Sequence, residues 1–179
     1  MALNRERIVE QATALLGEQG LGGLSMRRLA DGLGVRPGAL YYHVPSKQDL
    51  LVAVAEHLLA TTPAPIPDDD PRAAATALRA ALLRVRDGAE LVSFAHAFRP
   101  EALAPLHGLH RAFDLAPARA HWAARTLVHY VLGFVAEEQN YAELHRTGIV
   151  EQEAAREAPD EAFAFGVEAI VRGVAAVPE

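Results

Sequence analysis

The feature that most constrains this chain is a helical spacing of apolar residues that continues through nearly all of its length. Near the N-terminus, Ile8, Ala12 and Leu15 fall on one stripe of a helix with 3.6 residues per turn. Asn4 is a suitable N-cap for this helix, and Gly20 is expected to end it before a loop at 21–24. No stretch alternates with period two, so the sequence predicts an all-α fold without a sheet.

A break in composition divides the helical pattern into two parts. Residues 61–71 hold four prolines and three consecutive aspartates, which cannot continue a helix. We therefore predict a head at 1–60, a linker at 61–71 and a helical body at 72–179. The predicted helices beyond residue 60 cover about 71–87, 89–97, 101–113, 117–141 and 160–176, and the polar segment 148–159 is expected to be mostly loop.

Composition excludes several classes of function. The 179 residues are 51% hydrophobic and 22% charged, which is typical of a globular protein, and they include no cysteine that could form a disulfide, a zinc thiolate site or a nucleophile. Gly-x-Ser-x-Gly, His-Glu-x-x-His and P-loop motifs are missing, so we expect no enzyme, no catalytic residue and no cofactor. The longest apolar run, 126–136, is too short for a bilayer, and the N-terminus reaches charge too early for a signal peptide. The protein is therefore expected to be cytoplasmic and not to bind a membrane.

Charge is distributed unevenly along the chain. The net charge is −6, yet residues 1–60 carry equal numbers of acidic and basic groups. Within 25–47, four basic residues face one acidic residue, and Lys47 is the only lysine of the chain. A neutral head with a basic patch on an acidic body is typical of a compact DNA reader joined to a second domain.

The basic patch coincides with the pattern of a helix-turn-helix. Ser25 is placed to cap a helix at 26–32, Gly34 allows a sharp turn, and Pro37 suits the first turn of a third helix ending near His43. Ser46 is placed to cap a fourth helix. The sequence therefore predicts an N-terminal three-helix helix-turn-helix head, extended by this fourth helix to residue 60.

Several motifs in this head resemble the DNA-binding domain of the tetracycline-repressor family of bacterial regulators. The resemblance covers residues 5–60 and is carried by Leu24-Ser-Met-Arg-Arg-Leu-Ala, Gly34-Val35, Leu40-Tyr-Tyr-His-Val and Ser46-Lys-Gln-Asp-Leu-Leu. It implies a homodimer that binds double-stranded operator DNA. It also aligns Arg27 with a base-contacting position of the family.

The chemistry of the head gives candidate DNA contacts. Arg27 suits bidentate reading of a guanine, and the early residues of the third helix would face base edges. Gly38 and Ala39 offer almost no side chain, so part of the specificity is expected from thymine methyls or DNA shape. For Tyr42, DNA contact and core packing remain open. The candidate DNA-binding residues are Ser25, Met26, Arg27, Arg36, Pro37, Gly38, Ala39, Tyr41, His43 and Lys47.

The body resembles the ligand-binding domain of the tetracycline-repressor branch at Arg86-Asp-Gly-Ala and at 130–139. The resemblance implies that Glu137 matches a carboxylate that helps to enclose a magnesium–drug chelate. Thr61-Thr62-Pro63 and Val92 stand where that branch has histidines, so we expect a different small molecule and no metal site. The candidate effector-binding residues are Phe94, His96, Phe98, Phe113, Trp122, His129, Phe134 and Glu137.

The body is also expected to form the dimer. Phe163, Val167, Ile170, Val174 and Val177 follow a coiled-coil spacing, which predicts a packing seam shared with helix 117–141 in a four-helix interface. The predicted function is a ligand-responsive transcriptional regulator, most simply a repressor released from a palindromic operator by an effector. The alternative is a small-molecule-binding protein whose head no longer reads DNA.

Overall fold

The computed structural model describes residues 3–150 and 158–178, and within them it is all-α with no strand. The fold class predicted from the sequence is confirmed. The helices are α1 Arg5–Gly23, α2 Met26–Leu33, α3 Pro37–His43, α4 Lys47–Ala60, α5 Pro71–Leu83, α6 Gly88–Phe98, α7 Ala104–Gly108, α8 Pro117–Arg146 and α9 Pro159–Ala176, with short 3-10 turns at Pro100–Ala102 and Leu109–Ala112. Among the described helices, none combines the length and the apolarity that crossing a bilayer demands.

The chain divides into two compact units. Unit 1 contains the described residues of 1–63 and 81–104, and unit 2 contains those of 64–80 and 105–179. The domain boundaries expected from the sequence, at 60 and 72, stay a prediction.

Unit 1 is built around α4. Eight of the fourteen residues of α4 are buried, because α1 packs on one side of it and α6 on another. Ile8 and Leu16 of α1, Leu29 of α2 and Leu40 of α3 are fully buried in the same unit. The buried apolar residues of the head helices therefore pack against one another, and Arg27, Arg28 and most of α3 are left at the surface.

The end of α1 differs from the expected loop. Gly20 has φ 69° and ψ −178°, and a final helical turn continues beyond this kink to Gly23. The Leu21 N–H donates to Asp87 Oδ2 at 2.6 Å, and a Cβ on Gly20 would lie only 2.6 Å from that same oxygen. Both the positive φ and the close carboxylate require glycine here. The kink thus brings the end of α1 against the turn before α6.

Unit 2 is centred on α8, which runs five residues beyond the predicted 117–141. Its buried side packs on α9 and on the turn at Leu109–Ala112. Tyr130 donates hydrogen bonds to the carbonyls of Phe163 and Ala162 at 3.1 and 3.3 Å. A Cβ on Gly166 would overlap the Tyr130 hydroxyl, so glycine at this position permits the close approach of the two helices.

An ion-pair cluster fastens α5 and α9 to α8 within unit 2. Arg79 binds Glu138 at 2.5 Å and Asp160 at 2.6 Å, and its guanidinium lies 4.9 Å from the centre of the Phe163 ring. The hydrogen bond from Arg79 to Glu138, together with the one to Asp160, raises the pKa of Arg79 despite its partial burial. Arg79 and Glu138 are both largely buried, so each compensates the desolvation of the other.

Three expectations about the body need correction. Phe163 and Val167 are 3% and 4% exposed, because the predicted seam of α9 is the side that packs within its own chain, whereas Val177 is exposed. The predicted helix 101–113 is broken into α7 and two 3-10 turns, and the first helix of the body ends at Leu83 instead of continuing to 87. Residues 151–157, part of the predicted loop, lie outside the described residues.

Candidate DNA-binding interface

Local capping residues set the geometry of the helix-turn-helix. The Ser25 hydroxyl accepts from the Arg28 N–H at the start of α2. Gly34 ends α2 with φ 67° and ψ 30°, and its N–H and that of Val35 return to carbonyls of the last turn. This left-handed residue is the usual way to finish a helix before a sharp turn. Pro37 then begins α3 with a preset φ, as predicted.

Helix α3 exposes most of its surface. Leu40 is fully buried and anchors the helix, while Pro37, Gly38 and Ala39 are exposed. Tyr41 is 48% exposed and Tyr42 is 88% exposed, with the Tyr42 ring in edge contact with His43. The exposure of Tyr42 argues against core packing and makes it a further candidate contact, which the sequence had left open.

The adjacent arginines of α2 have different environments. Arg28 donates to Gln19 Oε1 at 2.8 Å and to the Gly23 carbonyl at 3.2 Å, so it ties α2 to the end of α1. Arg27 is exposed and makes no hydrogen bond or ion pair within the described part of the chain. Arg27 is therefore available to a partner outside the chain, and Arg28 is not.

Two more cations flank α3. Arg36 precedes its first turn and Lys47 begins α4, and both are exposed without a hydrogen-bonding partner among residues 3–150 and 158–178. We call Arg27, Arg36 and Lys47 the cationic frame. Exposed cations next to an exposed helix are suited to contacts with DNA phosphates and base edges. These three side chains form no ion pair that would stabilise the fold, so a role in binding is the simpler explanation for them.

Met26 is a predicted DNA-binding residue whose side chain the structure does not leave available to DNA. Its side chain is 8% exposed and packs into the core of the head. The sequence alone does not distinguish Met26 from the exposed Arg27 next to it, because the side of α2 that is buried depends on how α2 packs against α1. Met26 is the first residue of α2, so its backbone N–H, and not its side chain, is suited to binding a DNA phosphate.

The start of α4 is held by a small polar network within unit 1. The Ser46 hydroxyl accepts from the Asp49 N–H at 3.0 Å and donates to Asp49 Oδ2 at 2.6 Å, while Arg99, after α6, donates to Asp49 Oδ1 at 2.8 Å. The hydrogen bonds from Ser46 and Arg99 lower the pKa of Asp49. This network joins the end of α6 to the turn that carries Lys47, a link that the sequence did not reveal.

The candidate effector residues fall into two groups. In unit 1, Phe94 and Phe98 stack along α6 with ring centres 5.7 Å apart, and Arg99 lies 5.6 Å from the Phe98 ring. His96 is half-buried on the same helix. The described residues contain no group of three or more His, Asp or Glu side chains placed to hold a metal ion.

In unit 2 the candidates have three kinds of surroundings. Phe113 is buried in the core. Phe134 is half-buried and packs against Phe163, with ring centres 5.2 Å apart. Trp122, His129 and Glu137 share one exposed face of α8. The structure therefore brings Phe94 together with Phe98 and aligns these last three, and it places Phe113 and Phe134 in packing roles.

Comparison with known proteins identifies the class. A family model for bacterial regulatory proteins of the tetR family matches residues 8–54, and one for the tetracyclin repressor-like C-terminal domain matches 68–162. The tetracycline repressor protein class A from transposon 1721 of Escherichia coli is 36% identical, over 97% of this chain and 91% of its own length.

Solved structures agree with these matches. The crystal structure of Mycobacterium smegmatis BioQ is 37% identical with a TM-score of 0.85, covering 98% of this chain and 99% of that one. BioQ with its natural double-stranded DNA operator gives 37% identity and a TM-score of 0.79, over 98% and 100% of the two chains. The fold and interface thus define a DNA-binding transcriptional regulator, not an enzyme. The chain belongs to the tetR family of bacterial regulators, and the alternative of a head that no longer reads DNA is not favoured.

Proposed function

We propose that the protein is a dimeric repressor that binds a palindromic operator through α2 and α3 and is released by a small-molecule effector. The observation that carries this proposal is the cationic frame: Arg27 on α2, Arg36 just before α3 and Lys47 at the start of α4 are all exposed without partners in the described chain. A regulator of this kind would act in the cytoplasm, where the bacterial chromosome lies.

The residues of the interface would divide their tasks by chemistry. Arg27 and Arg36 carry fork-shaped donors suited to guanine, and Pro37, Gly38 and Ala39 offer apolar contact to base edges. The Tyr42 hydroxyl and the Lys47 ammonium would donate hydrogen bonds to phosphate oxygens. Further phosphate donors are Ser25, Tyr41 and His43.

The dimer would use faces of α8 and α9 that the chain leaves exposed. On α9 these residues are Ala162, Phe165, Ala169 and Gly173, with spacings of three, four and four that keep them on one side. Phe165 is 77% exposed, an unusual state for a phenylalanine unless another surface covers it. Trp122, His129 and Glu137 occupy the corresponding exposed face of α8, so in a dimer they would lie near the partner subunit.

The effector would act through α6. Phe94 and Phe98 provide aromatic surface on that helix, and Arg99 at its end holds Asp49 at the start of α4. An effector that displaces Phe98 would also move Arg99, because the guanidinium packs over that ring. Lys47 is two residues from Asp49, so the change would reach the cationic frame. The effector must bind the released form more tightly than the operator-bound form, since affinity alone shifts no equilibrium.

The experiment that tests the proposal is selection of binding sites from random duplex DNA at a stated salt concentration, followed by sizing of the complex. We expect a palindrome bound by one dimer. If no sequence is enriched at low salt, even with protein refolded free of small molecules, the proposal is wrong.

A further inference from the structure

Lys47 is the one position at which this chain uses lysine, and it lies in the cationic frame. Sixteen of the seventeen lysine and arginine residues are arginine, including the other two residues of the frame. Arginine also binds phosphate, and its planar fork can form two parallel hydrogen bonds to one. Phosphate binding alone therefore does not explain why position 47 carries a lysine.

The structure holds the backbone of Lys47 and leaves its side chain accessible. Lys47 is the first residue of α4, directly after Ser46, whose hydroxyl caps the helix, and two residues before Asp49, which Arg99 binds. The side chain of Lys47 is exposed and has no hydrogen-bonding or ion-pair partner among residues 3–150 and 158–178. The ammonium is thus open to small solutes whenever DNA is not bound.

Lysine differs from arginine in its chemistry toward acyl groups. The amine form of a lysine Nζ is a nucleophile, whereas a guanidinium stays protonated and does not react in this way. Acetylation converts the ammonium into a neutral amide, which removes the charge that a phosphate contact uses. Because the chain has no other lysine, a donor that acetylates lysine side chains reaches only the predicted DNA interface.

We propose that Lys47 is a regulatory acetylation site, at which an acyl phosphate modifies the DNA-free protein and weakens its return to the operator. This inference rests on the proposed function. Operator phosphates would cover Nζ in the bound protein, so the modification would accumulate on the released form.

The reaction is an acyl transfer that needs only the protein and the acyl phosphate. The ammonium first gives one proton to the solvent, and Nζ then attacks the carbonyl carbon of the donor. The C–N bond forms, the C–O bond to the phosphate breaks, and the phosphate departs with a second proton from the nitrogen. No atom is oxidised or reduced, so no oxidant or reductant is required.

The test treats the wild-type protein with acetyl phosphate and measures its affinity for the palindrome that the untreated protein selects. Peptide mapping by mass spectrometry should place an acetyl group on Lys47. Operator affinity should then fall at least about tenfold, because each subunit loses a phosphate contact. For the same reason, the slope of log affinity against log salt should become shallower by about two.

Two variants separate Lys47 from every other effect of the reagent. Lys47→Arg cannot be acetylated at this position, so treatment should leave its operator affinity at its own untreated value. The double variant Lys47→Arg with Arg146→Lys carries its lysine on α8, where Arg146 is exposed beside Glu143. Treatment should acetylate the double variant at position 146 and should not change its operator affinity.

A further measurement establishes which form of the protein is modified. Acetylation of Lys47 should be at least about tenfold slower when the wild-type protein is saturated with its operator, because a phosphate contact covers Nζ. Random DNA at the same concentration and at a salt concentration that prevents its binding is the control, and it should leave the rate unchanged.

The proposal is overturned if Lys47 stays unmodified, if its acetylation leaves operator affinity unchanged, or if treatment weakens Lys47→Arg or the double variant as much as the wild type. It is also overturned if operator-bound protein is acetylated as fast as free protein. In each of these cases the untreated wild type would still bind its palindrome, so the proposed function would stand. Failure of the untreated wild type to select any palindrome would instead overturn the proposed function and this inference together.

Discussion

Arg27 and Arg28 show how far a residue type alone can predict a contact. The sequence predicted a basic patch and assigned base reading to Arg27 by family resemblance. The structure supplies a physical reason for that choice, because Arg28 is bound to Gln19 and to the Gly23 carbonyl. The sequence could not show this difference, since both partners are brought to Arg28 by the packing of α1 on α2. Base reading by Arg27 stays a prediction.

We predict that Arg27→Ala weakens binding to the selected operator by about 1–3 kcal/mol but leaves binding to random DNA nearly unchanged, because a base contact is lost. Lys47→Ala should weaken binding to both DNAs alike and reduce the salt dependence, because a phosphate contact is lost. Titrations of both DNAs across a range of salt concentrations measure these effects. Arg146→Ala is the charge control, since Arg146 pairs with Glu143 on α8. Equal losses of Arg27→Ala on operator and random DNA would contradict base reading.

Gly17 and Gly20 are two glycines of one helix with opposite expected effects. Gly20→Ala should destabilise the protein by at least about 1–2 kcal/mol, because the positive φ is strained and the new methyl would meet Asp87 Oδ2. Gly17→Ala should stabilise it by about 0.4–1 kcal/mol, because it only reduces the freedom of the unfolded chain. Chemical denaturation measures both changes. Similar melting of the two variants would show that the kink at Gly20 is not fixed by Asp87.

At the scale of elements, the helices that begin with a local signal were predicted well. Ser25, Pro37 and Ser46 begin α2, α3 and α4 as expected, because a cap acts on the two or three residues beside it. Segments ended by tertiary contacts were predicted poorly. The sequence extended α5 to residue 87, where Asp87 instead has φ 56° and accepts from Leu21.

Helix α9 is fastened to α5 by a carboxylate that titrates in acid. Glu168 accepts from Arg72 at 2.6 and 3.2 Å and also from Arg172. The hydrogen bond from Arg72, together with the one from Arg172, lowers the pKa of Glu168 from 4.5 to about 2. A carboxylate whose pKa is lower in the folded state stabilises the fold fully above the unfolded value, and it loses this effect as the pH falls.

We therefore predict that Glu168→Gln lowers the melting temperature modestly at neutral pH. The difference from the wild type should shrink as the pH falls from 4.5 to about 2 and should vanish below that range. Thermal melts across this range provide the measurement, with Glu161→Gln, on the exposed first turn of α9, as the control. A difference that stays constant down to pH 2 would show that the ion pair does not form in solution.

At the scale of the whole molecule, the proposed dimer uses a different side of α9 from the apolar seam that the sequence spacing predicts. The coiled-coil spacing correctly found an apolar seam, but Phe163 and Val167 use it inside the chain. The sequence could not show which side of α9 packs inside the chain and which is left for a partner subunit, because α9 carries apolar residues on both sides. Phe165 and Ala169 lie on the side left exposed.

We predict that Phe165→Glu yields a monomer, because a charge replaces the largest apolar group that α9 contributes to the proposed dimer face. Sedimentation should give the mass of one 19.2 kDa chain instead of two, and operator affinity should fall by at least about tenfold because half-sites are no longer joined. Ala164→Glu is the control, since Ala164 is exposed on another side of α9. A Phe165→Glu protein that remains dimeric would place the interface elsewhere.

The return of residues 81–104 to unit 1 has a consequence for anyone who recombines heads and bodies of such regulators. A chimera that takes only residues 1–60 from this chain would carry α4 without its own α6, so Leu91 and Val92 would be left out. The foreign body would then have to supply an α6 whose surface fits this α4 and which is followed by a residue that reaches Asp49. Exchanging operator specificity without losing the response to an effector therefore requires transplanting two separate stretches of sequence.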